Sequence, residues 1–149
     1  MSAARGTNTP GRPWHLWVVG IAGTLWSLMG VISFMLTQLN VEAMMSRFPE
    51  QQRAYFASYP LWVDAFWAIG VFGGEIGCLL LVLKNRLAVP VLLVSMIGWI
   101  ASTFGGLFLH RGMAVMRETG ALGLTMFPVV IAVLLALYAG AARRKGLLN

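Results

Sequence analysis

The chain has 149 residues, of which 58% are hydrophobic and 11% are charged, and its net charge is +6. Soluble domains carry about 25% charged residues, so this chain has too few of them to cover a surface that faces water. Its length suits one domain. The basic residues form no patch interleaved with aromatic side chains, so the pattern excludes nucleic acid as a partner and favours the lipid bilayer.

Four apolar segments are long enough to cross the hydrocarbon core of a bilayer, which requires about 20 helical residues. The segments are approximately 13–37, 61–83, 87–109 and 120–141. They predict an all-α integral membrane protein in which residues 13–142 form an antiparallel four-helix bundle. Residues 1–12 are expected to be a disordered cytoplasmic tail, and residues 143–149 a basic cytoplasmic tail. The first segment is too long for the apolar region of a signal peptide, so it is expected to be retained.

The distribution of charge predicts how the bundle is oriented. Four spans place both ends of the chain on one side of the membrane, and that side carries seven basic residues and no acidic residue. The other side carries four basic and three acidic residues. Because cytoplasmic loops are enriched in lysine and arginine, both ends are expected in the cytoplasm, with the protein in the bacterial inner membrane.

Glu75 lies inside the second span, where an ionisable side chain costs about 2.5–3.5 kcal/mol on insertion scales. No lysine or arginine lies within any of the four spans, so this carboxyl has no basic partner at its depth. Depths aligned across antiparallel spans indicate Ser95 and Thr24 as hydrogen-bonding neighbours. Glu75 is therefore the main candidate for coupling protons or substrate to transport, and a neutral acid that joins helices is the alternative.

Small residues in the second and third spans predict close contact between these helices, because small side chains let backbones approach in lipid. The residues are Gly70, Gly73, Gly74, Gly77, Ser95, Gly98, Ser102 and Gly106. A rotation of about 100° per residue places Glu75 about 140–160° away from the first, second and fourth of these glycines. Asp64 is rotated by only about 20° from Glu75 and lies about 16 Å from it along the helix axis. Asp64 is therefore a second coupling candidate, with hydration at the membrane interface as the alternative.

Two further sets of side chains allow a binding role. Thioether and imidazole groups in the predicted outer loops suit Cu(I), although methionine is also an ordinary apolar residue at a membrane boundary. This weak copper set consists of Met44, Met45, His110, Met113 and Met116. Trp26 and Trp99 lie inside spans, where core packing is favoured over a ligand platform. No phosphate loop, zinc motif or nucleophile motif appears, so we predict no catalytic residue, no enzyme activity and no cofactor.

Two stretches of the sequence carry a family resemblance: LWSLMG in the first span, and YFASYPLWVDAFWAIGVFGGEIGCLLLVLKNRLAVPVLL from residue 55 onwards. Their distinctive features are the Y-P-x-W entry to the second span, its glycine-rich middle, and a basic turn followed by A-V-P. The chain resembles a family of small four-helix inner-membrane proteins of proteobacteria, often labelled "sugar transporter" without an established activity. The resemblance implies architecture and location, and it carries over no binding residue.

Together these features predict a multi-pass inner-membrane protein of the transport type. It is expected to work as a homo-oligomer, since four helices enclose too little space for a substrate path. Glu75 is expected to face a partner copy on the side opposite the glycines. The alternative is a non-catalytic accessory or assembly subunit of a larger membrane complex, in which the Glu75 face binds a helix of another membrane protein.

Overall fold

The computed structural model describes residues 13–39, 42–109 and 112–149. Within these ranges the chain forms seven α-helices and one π-helical segment, and no β-strand. The helices are α1 (Trp14–Gln38), α2 (Glu42–Met45), α3 (Glu50–Ala57), α4 (Leu61–Val82), α5 (Ala88–Phe104), α6 (Gly112–Glu118) and α7 (Leu122–Arg144). The π-helical segment, Gly105–Leu109, directly continues α5. The all-α prediction is confirmed for the described part of the chain.

Among the described residues, four helices are long and apolar enough to cross a membrane. They are Trp14–Gln38, Leu61–Val82, Ala88–Phe108 and Leu122–Arg144. Each has at least 18 residues with high mean hydropathy and few charges, which is the pattern that a hydrocarbon environment requires. The prediction of four apolar helices of membrane-spanning length is therefore confirmed for the described residues, and it is consistent with a multi-pass membrane protein.

Prolines stand directly before three of the helices. Pro13, Pro49 and Pro60 precede α1, α3 and α4 with φ angles of −73°, −54° and −70°. The ring holds φ near the value of a helix, and the missing N–H is harmless where no helical partner exists. Pro128 lies inside α7 instead, where it removes one backbone hydrogen bond from the helix. The helix starts are thus encoded locally, before any packing occurs.

The central helix of the bundle is α4, which packs against α5 on one side and α1 on another, while α7 packs against α5. Glycines make the α4–α5 contact close. A Cβ added to Gly73 would lie 3.0 Å from the Ser95 Cβ, and one added to Gly98 would lie 2.7 Å from the Gly70 nitrogen. Towards α1, a Cβ added to Gly23 would lie 2.7 Å from the sulfur of Cys78. The predicted close contact of the second and third spans is therefore present, and α1 joins α4 by the same device.

Gly106 departs from the expected arrangement. A Cβ on Gly106 would lie 2.8 Å from the hydroxyl of Tyr55 and 2.9 Å from that of Tyr59, so this glycine packs under the α3 region. Its neighbour Gly105 meets Trp62 at the start of α4 instead. The expectation assumed a regular α-helix, whereas residues 105–109 form a π-helical turn. A π-helical turn contains an extra residue, so it changes which side chains face the neighbouring helix.

The last residues of the described chain fold back onto the α4–α5 turn. The Asn149 N–H donates to the Lys84 carbonyl at 2.7 Å, and the Arg86 N–H donates to the Asn149 carbonyl at 2.9 Å. Leu148 is buried in the same apolar cluster as Leu16 and Leu81. The reversal follows Gly146, whose φ of +68° is favourable only for glycine. The residues that follow Lys145, which are expected from the sequence to belong to a tail, thus contribute to the core.

We predict that Gly98→Ala lowers the free energy of unfolding by about 1–3 kcal/mol, the usual cost of overpacking. The added methyl would meet backbone atoms of Gly70 and Phe66 at 2.7 and 2.8 Å, and these cannot rotate away. Gly140→Ala in α7 is the matched control, because nothing lies within 4 Å of its added Cβ. Helix propensity alone should stabilise that variant by up to about 1 kcal/mol. Unfolding in detergent followed by circular dichroism measures both changes, and equal effects would contradict the close α4–α5 contact.

Candidate functional site

Glu75 lies on α4 between the side that contacts α1 and the side that faces outward, and it points away from α5. The residues Gly70, Gly73 and Gly77 contact α5, and Val71, Gly74 and Cys78 contact α1. Helical geometry places Glu75 about 65° from the centre of the α1 contacts and about 170° from the centre of the α5 contacts. It therefore lies at the outer edge of the α1–α4 contact. We call Phe72, Glu75 and Leu79 the outer face of α4.

The carboxyl oxygen Oε2 of Glu75 is buried and has no hydrogen-bond partner among the described residues. Its neighbours on the outer face are apolar and partly open, with Phe72 37% and Leu79 45% exposed. A buried polar atom without a partner loses about 1–3 kcal/mol of favourable interaction. This is the one buried side-chain oxygen or nitrogen in the described residues that is left in this state.

The hydrogen bonds expected from Ser95 and Thr24 to Glu75 are not formed, and this expectation is corrected. The Ser95 hydroxyl donates to the Gly70 carbonyl at 2.6 Å, across the α4–α5 contact. The Thr24 hydroxyl donates to the Gly20 carbonyl at 2.8 Å, within its own helix. Equal depth in the membrane does not by itself bring two side chains into contact. Ser95 contacts the side of α4 that is opposite to Glu75. In an apolar surrounding a helical threonine finds the carbonyl four residues earlier as its nearest acceptor.

Asp64 and Glu75 are not brought together. Asp64 lies in the first turn of α4, next to the Gln38 side chain at the end of α1. The separation of about 16 Å along α4 leaves each carboxyl in its own surroundings. Glu75 is therefore the acid at membrane depth, and Asp64 belongs to the end of the bundle where α1 ends.

A cavity of about 510 Å³ lies between the four long helices and is covered at one end by α3, the π-helical segment and α6. Its aromatic walls include Trp26, Trp67 and Trp99. Hydroxyl groups also line it; they belong to Ser27, Ser33, Ser102, Thr103, Thr125 and Tyr59. Glu75 is not among the lining residues, so the cavity and the outer face of α4 are separate features. Ser102, expected only to pack helices together, also contributes to this wall.

The cavity was not expected from the sequence, which favours core packing for Trp26 and Trp99 and predicts that four helices enclose little space. A signal was present, because three of the six tryptophans lie inside predicted spans and not at their ends. Tryptophan is typical of membrane interfaces, so several indoles at depth indicate an internal aromatic surface. What the pattern could not provide is the relative orientation of α1 and α7, which decides whether the rings fill the space or border it.

Two tyrosines form part of the cover over the cavity. The Tyr59 hydroxyl donates to the Tyr55 hydroxyl at 3.2 Å. Burial raises the pKa of Tyr59, and the Tyr55 hydroxyl and the Asp64 charge act in the same direction. Burial also raises the pKa of Tyr55, although its hydrogen bond with Tyr59 opposes this. Both phenols therefore stay neutral, and neither adds charge to the cavity.

The structure describes only part of the weak copper set. The Met116 side chain is buried with Tyr55 and Leu107, and its sulfur accepts a hydrogen bond from the Thr125 hydroxyl at 3.5 Å. Met113 packs against the same cluster, and Met45 ends α2. The Met44 side chain and His110 lie outside the described residues. Met113 and Met116 thus serve packing in the cover of the cavity.

No family model matches the chain, and neither a curated protein nor a solved structure gives a match. The resemblance to small proteobacterial inner-membrane proteins therefore stays a prediction. What can be concluded about function rests on the chemistry of Glu75 and of the cavity.

Proposed function

We propose that the chain is a small transport-type protein of the bacterial inner membrane that acts as a homo-oligomer, with Glu75 coupling protons or substrate to movement. The observation that carries this proposal is the buried, unpartnered carboxyl oxygen on the outer face of α4. An acid within a membrane span costs free energy, and such acids mark proton relays and substrate paths. No motif in the sequence offers an alternative chemistry.

The bundle is antiparallel in this proposal. Support comes from the order of contacts, in which residue numbers rise along one helix as they fall along its neighbour. The glycine contacts between α4 and α5 are Gly70 with Trp99, Gly73 with Ser95, and Gly77 with Leu92; those between α1 and α4 are Gly20 with Val82, Gly23 with Cys78, and Gly30 with Val71.

Both ends of the chain lie in the cytoplasm in this proposal. The backbone bonds between Asn149 and the α4–α5 turn bring Lys84 and Arg86 to the same end of the bundle as the basic end of α7. This cluster of positive charge favours the cytoplasmic side.

We predict that green fluorescent protein fused after Asn149 fluoresces in bacterial cells, because this reporter matures in the cytoplasm. Alkaline phosphatase fused at the same point should be inactive, since it requires the periplasm. The control is a pair of fusions placed after Ser58, between α3 and α4, where the two reporters should give the reverse result. An active phosphatase after Asn149 would contradict the proposed orientation.

A second copy of the chain is the partner that suits Glu75 best. A neutral carboxyl has one donor and can also accept, so two such groups can satisfy each other. A two-fold axis brings the same surface of both copies together, and the exposed rings and methyl groups of Phe72 and Leu79 can then pack around the acid pair. A homo-oligomer can thus give a Glu75 carboxyl that turns outward a hydrogen-bond partner, without any basic residue at its depth.

We predict that cysteines on the outer face of α4 cross-link two copies. In a Cys78→Ala background, which removes the single native cysteine, Leu79→Cys should form a covalent dimer in native membranes under mild oxidation. Val94→Cys is the control, since this α5 residue is 54% exposed but lies on another surface. Cross-linking of Leu79→Cys only to a different protein would favour the accessory-subunit alternative. Equal dimer formation by both variants would count against the proposed interface.

We predict that Glu75→Gln abolishes proton-coupled solute uptake, because glutamine keeps the shape of the side chain but cannot exchange a proton. In proteoliposomes with an internal pH-sensitive dye, solute-dependent proton influx should fall by a factor of about ten or more. D-glucose is the first solute, because the family that the sequence resembles carries a sugar-transporter label. Glu50→Gln, the same change at an exposed acid of α3, should leave the flux unchanged. Equal flux with and without Glu75 would rule out its coupling role.

A further inference from the structure

The cavity between the four long helices has chemistry that the proposed role of Glu75 does not use. Its volume of about 510 Å³ lies within the range of about 300–1,000 Å³ that holds drug-sized ligands. We propose that it binds a small uncharged organic molecule that carries an aromatic ring and a hydroxyl or carbonyl group. This inference goes beyond the transport proposal and does not depend on Glu75.

The aromatic walls are held in place by neighbouring groups. The Trp26 ring meets Phe127 of α7 edge to face, with centroids 5.3 Å apart. The Trp67 ring meets Phe34 in the same way at 5.0 Å. Trp99 lies against Gly70, where an added Cβ would be 3.0 Å from its ring. Indoles fixed in this way lose little side-chain freedom when a ligand ring packs on them, which favours binding.

One position in the cavity wall is a glycine and therefore has no side chain. Gly30 lines the cavity, and a Cβ there would meet only a methyl group of Val71, at 3.5 Å. The helix contacts therefore do not require glycine at this position. A large side chain at residue 30 can occupy the cavity without displacing α4, which gives a direct means of blocking it.

The absence of charge in the lining selects against ionic ligands. None of the described lining residues is acidic, basic or histidine, and the tyrosine in the cover is neutral. Aromatic faces attract cations, but a cation without a counter-charge loses its hydration in such a site and gains too little in return. An anion is disfavoured for the same reason.

The hydroxyl groups distinguish a polar organic ligand from a lipid tail. Ser33 on α1 and Ser102 and Thr103 on α5 all line the cavity. A hydroxyl group both donates and accepts hydrogen bonds, whereas an acyl chain can do neither. A ligand with a hydroxyl or carbonyl group therefore uses the wall more completely than lipid does.

The test uses 4-bromobenzyl alcohol, whose bromine quenches tryptophan fluorescence on contact. The full chain is reconstituted in nanodiscs with Trp14, Trp17 and Trp62 replaced by phenylalanine, which leaves the three cavity tryptophans as the fluorophores. We expect saturable quenching by the alcohol. The matched cation, 4-bromobenzyl-trimethylammonium, should bind at least about ten-fold more weakly, because the cavity offers no counter-charge.

Two variants localise the binding. Gly30→Leu should abolish the saturable component, whereas Gly123→Leu, at an exposed glycine with nothing within 4 Å of its added Cβ, should retain it. Thr103→Val keeps the shape of the wall and should weaken binding about 5- to 10-fold, the effect of one hydrogen bond. If Gly30→Leu does not fold, the Thr103→Val variant still tests whether the ligand binds in the cavity.

The outcomes that overturn the proposal are specific. Quenching that rises linearly with concentration and is equal in the native and Thr103→Val backgrounds would show partition into the bilayer only. Strong quenching by lipids with brominated acyl chains, unaffected by the alcohol, would show that a lipid tail occupies the cavity. Competition of the alcohol with that lipid quenching would support the proposal. Loss of binding here leaves the Glu75 flux and cross-linking results unaffected, so the two proposals fail separately.

Discussion

Close backbone approach on two sides of α4 is the constraint on which the rest of the structure depends. In a bilayer no hydrophobic force draws helices together, so association relies on packing and on the small residues that permit it. Glycines on α4 and α5 meet along one side, and glycines of α1 meet α4 along the other. A helix has room for about three such faces. The third face of α4 is consequently left outside, and Glu75 lies at its edge, next to the α1 contact.

The same constraint explains the cavity. The contacts of α7 are chiefly with α5, while its contacts with α1 are made through long side chains. Trp26 meets Phe127, and His15 Nδ1 lies 2.7 Å from the Tyr138 hydroxyl. Large rings at this contact hold two backbones apart where glycines would draw them together. The space between α1 and α7 is therefore a consequence of residue size, and α3 and α6 cover one end of it.

Much of this architecture could be predicted from the sequence, and the failures have physical causes. The four spans follow from length and apolarity, and the α4–α5 contact follows from the spacing of Gly70, Gly73 and Gly77, since both are local properties. The predicted hydrogen bonds from Ser95 and Thr24 to Glu75 are wrong, because the depth of a residue along a helix axis does not specify the direction in which its side chain points. Gly106 was misplaced because a π-helical turn cannot be read from composition. The burial of Leu148 and the cavity depend on how distant segments meet, which no local pattern contains.

The two proposed sites share α4, and this determines how they can influence each other. Gly70 and Val71 border the cavity, and Glu75 lies about one helical turn further along on the outer face. The glycine contacts leave little room for α4 to slide against α5 or α1, since added Cβ atoms would lie within 3.0 Å of their neighbours at Gly23 and Gly98. Packed cores change by discrete rearrangements rather than by continuous deformation. The glycine contact between α1 and α7 is looser, since an added Cβ at Gly23 would lie 3.4 Å from the Leu135 side chain. A ligand in the cavity and a proton on Glu75 are thus linked through α4, whose close contacts with α5 and α1 resist small displacements.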